Sequence, residues 1–182
     1  MSKRVLILGI GNPLMTDEGV GVRVAEILMN AYQFPEGVEV VDAGTLGLGI
    51  INLLRDRDLV IVVDAVDKTG HEPGTVVILT PDEMAPAQVL HTLHDVRFTN
   101  VLEAATLTGI QPDAICVGVQ VASMEQWVTE LTSEVETALP VAIAAVLDIL
   151  ESHGITPVES ESTSEVARII ENIRTRVHEP GV

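Results

Sequence analysis

Arg4-Val5-Leu6-Ile7-Leu8-Gly9-Ile10-Gly11-Asn12-Pro13-Leu14-Met15-Thr16-Asp17-Glu18-Gly19-Val20-Gly21 is the stretch that decides how this chain is read. The apolar run from Val5 to Leu8, resumed at Ile10, predicts a strand buried on both faces. Gly9, Gly11, Asn12 and Pro13 then punctuate it. Thr16 is placed as a helix N-cap, with Asp17 and Glu18 in the first turn, where acids suit the helix dipole. The unit is strand, loop, helix, and it delivers carboxylates to the carboxyl end of the strand, where open α/β sheets build their sites. A dinucleotide fingerprint fails on spacing. The glycines stand at 9, 11, 19 and 21 rather than in G-x-G-x-x-G, and no Gly-Lys-Ser/Thr follows for a P-loop. A pyrophosphate would also meet two acids at the helix start.

Outward from that stretch, composition sets the bounds. A chain of 182 residues is one domain with room for a sizeable core. It is 47% hydrophobic and only 2% aromatic, so the core is built from Val, Ile, Leu and Ala. With 10 basic and 27 acidic residues the formal net charge is -17, which argues against nucleic acid and anionic membrane surfaces as partners. The single cysteine, Cys116, rules out an internal disulfide framework and fits a reducing, cytoplasmic setting. No signal peptide is read ahead of the first strand, and no apolar run reaches the length of a membrane span.

Beyond the opening motif, Val20, Val24, Ile27 and Leu28 mark the buried stripe of a helix over about 17–32, broken by Pro35-Glu36-Gly37. Residues 38–41 form a second strand ending on Asp42. Residues 46–54 are helical but weakened by Gly47 and Gly49, and 59–63 form a third strand ending on Asp64. Residues 65–74 are too few for a crossover helix, so the strand at 75–79 is expected to run antiparallel to the third. A polar loop carrying His91 and His94 precedes a helix over 96–108 that Gly109 closes. A fifth strand covers 114–119, and a long helix covers 133–153, with Ser133 and Glu136 at capping-box spacing, a kink or restart at Pro140, and Gly154 at its end. Alternating strands and helices give a three-layer α/β sandwich: a five-stranded, mostly parallel twisted sheet, first and third strands adjacent, one strand antiparallel, helices on both faces. The domain is placed over 1–154. Residues 155–182 read as a linker followed by an amphipathic helix near 165–178, with Val166, Ile169, Ile170, Ile173 and Val177 on one face and Ser164 as its cap.

Glu18, Asp42 and Asp64 fall just beyond the carboxyl ends of the first three strands. One terminal acid is ordinary turn chemistry. Three on one edge repel one another, and point to a cation, a shared proton or a cationic substrate. His94, ahead of a helix, is the leading nitrogen ligand, with His91 a close competitor. His71, His153 and His178 have no supporting neighbours and read as surface residues. Carboxylate and imidazole together suit a borderline divalent ion such as nickel or zinc. Cys116, between Ile115 and Val117 in mid-strand, reads as a small core residue rather than a nucleophile.

Those residues resemble the maturation endopeptidases of nickel-iron hydrogenases. The likeness starts at Gly9-Ile10-Gly11-Asn12-Pro13-Leu14-Met15-Thr16-Asp17-Glu18-Gly19-Val20-Gly21. It continues through Asp42-Ala43-Gly44-Thr45, Val63-Asp64-Ala65-Val66-Asp67, Glu72-Pro73-Gly74-Thr75, His94 and Val117-Gly118-Val119-Gln120, and spans about 3–154. The resemblance implies a cytoplasmic peptidase domain that removes a C-terminal extension from the hydrogenase large subunit precursor after nickel is inserted. It places the metal-recognising residues on Glu18, Asp64 and His94. The nickel would be supplied by the precursor, other divalent ions substituting. Glu18 and Asp64 would also serve the reaction, with Asp42 as a candidate general base. Ala43 replaces the first glycine of the family's Asp-Gly-Gly-Thr turn, and a positive φ there would be strained. A non-catalytic, metal-sensing chaperone of the immature large subunit is the alternative that the same residues allow.

Overall fold

The structure is a computed structural model that describes residues 3–84, 88–89 and 98–160. In chain order the elements are β1 (Val5–Ile10), a 3-10 turn (Thr16–Gly19), α1 (Val20–Ala31), β2 (Tyr32–Gln33), β3 (Val38–Gly44), a 3-10 turn (Gly47–Ile50) running into α2 (Ile51–Leu54), β4 (Leu59–Asp67), β5 (Val76–Leu79), α3 (Pro81–Met84), β6 (Gln88–Val89), α4 (Phe98–Leu107), β7 (Asp113–Gln120), α5 (Ser133–Ser152) and β8 (Val158–Glu159).

The main sheet has the order β3-β1-β4-β7-β5, with β6 added to the end of β4. β1 pairs in parallel with both β3 and β4, and β7 pairs in parallel with β4. The first and third predicted strands are therefore neighbours, as expected. β5 is the antiparallel strand, but it pairs with β7. Its direction relative to β4 is the expected one. Its neighbour is not, because β1 and β7 already occupy both sides of β4.

Every residue of β1 is buried, as a strand covered on both faces requires. Alternation divides the strands between two cores. Val5, Ile7, Leu59, Ile61 and Val63 pack with Val20, Val24 and Leu28 of α1 and with Ala142, Val146 and Leu150 of α5. Leu6, Leu8, Val60 and Val62 pack on the other face with Ile50 and Leu54, and with Phe98, Val101 and Ala105 of α4. This is the expected three-layer sandwich, with aliphatic residues filling both cores. Among the described residues no helix is long and apolar enough to cross a membrane.

Local signals met tertiary contacts at several points. Thr16 is not an N-cap: it lies inside the 3-10 turn at φ 43, and the α-helix begins four residues later. The capping box at Ser133 does not form. Thr132 is the N-cap, its side chain makes no capping bond, and its hydroxyl is turned to Asp17. α5 continues through Pro140 as one helix rather than restarting there. Gly109 and Gly154 do close their helices in Schellman geometry: Ile110 N–H donates to Ala105 O, and Ile155 N–H to Leu150 O. The linker expected from 155 opens with β8, which pairs antiparallel with β2, and Ser160 N–H donates to Ala31 O. The helix expected near 165–178 lies outside the described residues.

Candidate functional site

The opening glycines let α1 sit directly on the strands. A Cβ on Gly21 would lie 2.2 Å from Ile10 O and 2.3 Å from Val63 O, and one on Gly9 would lie 2.3 Å from Gly21 O. Gly11, at φ 141, has room for no side chain, because a Cβ there would fall 1.8 Å from Glu18 O. The glycines thus serve backbone-to-backbone contact, and they fix the turn that carries Glu18 against the carboxyl ends of β1 and β4.

Glu18 is only 1% exposed, and neither of its side-chain oxygens has a hydrogen-bond partner among the described residues. Leaving a buried carboxylate unsatisfied is costly. Burial accordingly pushes its carboxyl from 4.5 up to about 7. Asp64, 4% exposed, follows Val63 on β4 and accepts the Ala65 N–H at 2.8 Å. Burial raises its carboxyl well above the usual carboxylate range. The Ala65 hydrogen bond opposes that rise, and the charge of Glu18 adds to it. The two predicted acids are therefore brought together, and the charge of Glu18 disfavours the ionised form of Asp64. Such a pair fits a cation or a shared proton, the donor chemistry being oxygen on both sides. Burial and the Asp64 charge also push the Cys116 thiol far up, so it stays protonated in the core, as its mid-strand position suggested.

Asp42 stands at the same edge on β3, opposite Gly9 of β1. It is exposed, and its Oδ1 accepts the Gly44 N–H at 2.9 Å, an Asx turn. Alternation along β3 gives Asp42 the face of Val38 and Val40, packed toward α1, whereas Asp64 shares the face of Val60 and Val62. The positive φ falls on Gly44 (φ 44) and not on Ala43, which is buried. The substitution at 43 therefore carries none of the strain expected of it. His94 and His91 lie outside the described residues. Val89, five positions before His94, pairs with Val66 at the end of β4, two residues past Asp64. Among the described residues no third His, Cys, Asp or Glu joins Glu18 and Asp64 in a group able to hold a metal.

Two features of this edge had no local signature. Asp17, fully buried, accepts N–H bonds from Ala122 (2.9 Å), Ser123 (2.9 Å) and Thr132 (2.8 Å), and also the Thr132 hydroxyl. It clamps the 122–132 segment onto the turn that bears Glu18. Gln120 accepts the Thr69 hydroxyl at 2.6 Å and ties down the connection after β4. In both cases the partners are about 50 residues or more away along the chain, so neither role shows in any short window of sequence.

The chain is similar to known proteins in both sequence and fold. A family profile described as hydrogenase maturation protease matches residues 22–149. The chain is 35% identical to the hydrogenase expression/formation protein HupD of Rhizobium leguminosarum, over 93% of this chain and 85% of that protein. It is 36% identical to the hydrogenase 2 maturation protease of Escherichia coli, over 87% of this chain and 98% of that one. Among solved structures, the hydrogenase-maturating endopeptidase HybD of E. coli superposes with a TM-score of 0.78 at 33% identity, covering 88% of this chain and 99% of that one.

Proposed function

The chain belongs to the hydrogenase maturation protease family, and on that footing we propose that it is the endopeptidase that removes the C-terminal extension of a nickel-iron hydrogenase large subunit precursor once nickel has been inserted. The observation that carries the reading is the buried pair of Glu18, whose carboxylate oxygens have no hydrogen-bond partner among the described residues, and Asp64, whose ionisation the charge of Glu18 disfavours, a pairing that favours a cation. The nickel belongs to the substrate and arrives in the precursor. Glu18 and Asp64, with His94 as the third group, recognise it and so check that the precursor is loaded before it is cut. Three protein donors leave positions for the precursor's own ligands. Held at that point, the ion can polarise a nearby carbonyl or serve for recognition alone.

Asp42 acts from the neighbouring strand, orienting water or the peptide as a general base. A substrate that engages Asp42 and the Glu18–Asp64 pair together lies across the carboxyl end of β1. The work takes place in the cytoplasm, on a protein partner, with neither nucleic acid nor membrane involved.

The test is to incubate the protein with nickel-loaded and nickel-free precursor and to weigh the products by mass spectrometry. Wild type shortens only the loaded form, and Glu18→Gln and His94→Ala each abolish the cut. If both variants process loaded precursor at the normal rate, the site lies elsewhere. If wild type binds loaded precursor without shortening it, the protein is a metal-sensing chaperone.

A further inference from the structure

The chain has a single tryptophan, and the fold places it on the surface: Trp127 is 82% exposed in a molecule that is only 2% aromatic. Its backbone is at φ 67, and Thr16, across from it, is at φ 43. Both are left-handed conformations that cost a bulky or β-branched residue on the order of 1–3 kcal/mol, and they persist only where surrounding contacts over-determine them. Those contacts are present. Trp127 N–H donates to Leu14 O at 2.7 Å, Thr16 N–H donates to Val128 O at 2.7 Å, and the Thr16 hydroxyl donates to Glu125 O at 2.9 Å. Asp17 fastens the same segment at Ala122, Ser123 and Thr132. The backbone that carries an exposed indole is thus fastened to the peptide that leads into Glu18.

Beside it lies a cavity of about 60 Å³ lined by Asn12, Leu14, Met15, Gln126 and Trp127. None of the five is charged, in a chain of net charge -17, and Leu14 is 46% exposed. The volume is that of a few waters, enough for the end of one aliphatic side chain. Rigid, desolvated aromatic anchors next to small apolar pockets are where binding energy concentrates in protein interfaces.

We infer that Trp127 and Leu14 form the docking platform for the precursor polypeptide next to its cleavage site, with one aliphatic side chain of an extended, uncharged peptide seated in this cavity. The inference rests on the endopeptidase reading for the identity of the partner. It rests on the clamp through Asp17 for the continuity between platform and site. The platform selects substrate, while Glu18 and Asp64 respond to what the substrate carries.

The experiment uses the full chain and two probes: nickel-loaded precursor, and a tryptophan-free synthetic peptide spanning the precursor's cleavage site. The peptide shifts the emission of wild-type Trp127 to shorter wavelength, saturably. Trp127→Ala raises KM for loaded precursor about 10- to 30-fold with kcat little changed, and Trp127→Phe recovers part of the loss. Leu107→Ala serves as control, because Leu107 is exposed at the far end of α4, and it leaves KM unchanged. If wild type cuts precursor while the peptide leaves the emission unmoved and Trp127→Ala keeps its KM, the platform is overturned and the endopeptidase reading stands. If wild type does not cut but the peptide still shifts the emission, the platform stands without the protease. If there is neither cutting nor shift, both fail.

Discussion

At Glu18 the cost of the site can be read as a dependence on pH. Its folded value is about 7 against 4.5 for the ordinary group, so between those values the folded protein keeps a proton that the unfolded chain has released. The contribution of Glu18 to stability is therefore greatest below about pH 4.5, falls as pH rises through that window, and stays reduced above 7, by on the order of 3 kcal/mol. Asp64 is shifted in the same direction and steepens the fall. Urea unfolding of wild type at pH 5 and pH 8 is expected to show this loss. In Glu18→Gln the difference between the two pH values shrinks, whatever the amide costs at either one, and superimposable profiles would refute the assignment. The sequence exposed this residue because an acid just past a buried strand needs no distant partner to be noticed. It hid Asp17, whose donors stand more than 100 positions away. Thr16 was misread for the same reason: a cap is a local inference, and Glu125 and Val128 outcompeted it.

Helix α1 shows the same division between local and distant causes. Helix propensity alone would favour alanine over glycine at position 21 by about 1 kcal/mol. Here the added Cβ would meet Ile10 O and Val63 O at 2.2 and 2.3 Å, and both of those are backbone atoms. Gly21→Ala should therefore destabilise by about 3 kcal/mol or more, as overpacking in a rigid core does. Gly154→Ala, at φ 75 with nothing within 4 Å, should cost only the left-handed penalty of about 1–2 kcal/mol. Equilibrium urea unfolding ranks the two, and a Gly21→Ala protein as stable as wild type would remove the tight helix-on-strand contact from the account. The five long strands and helices α1, α4 and α5 were legible from hydrophobic runs and glycine stops, and so was the direction of β5, whereas the short β2, α3, β6 and β8 fell in stretches read as helix end, polar loop and linker. The seat of β5 on β7 was not legible, since direction follows from a short connection but neighbourhood depends on which strand edges are already taken.

Across the whole molecule the excess of acid opposes compactness. Among the described residues the ion pairs of Arg4 with Asp58, Arg23 with Glu26 and Arg57 with Glu39 each have at least one partner about half exposed, and such pairs are worth about 0–1 kcal/mol each. They cannot balance a net charge of -17. Screening should therefore stabilise the fold. Raising sodium chloride from about 10 to about 200 mM shortens the Debye length from about 30 to under 10 Å, and the melting temperature should climb by a few degrees, about 2–4 °C for each kcal/mol of relieved repulsion. A flat or falling melting temperature would mean that attractive pairs dominate. The topology also sets a schedule. β5 (Val76–Leu79) is synthesised well before β7 (Asp113–Gln120), yet β7 is its neighbour in the sheet. While the chain emerges, β5 waits with its ladder groups unpaired and its aliphatic side chains uncovered, a passing liability of strands whose partner comes late. The piece of sheet made fourth is thus the last to be shelved, and growth of the nascent protein past Gln120 ends its wait.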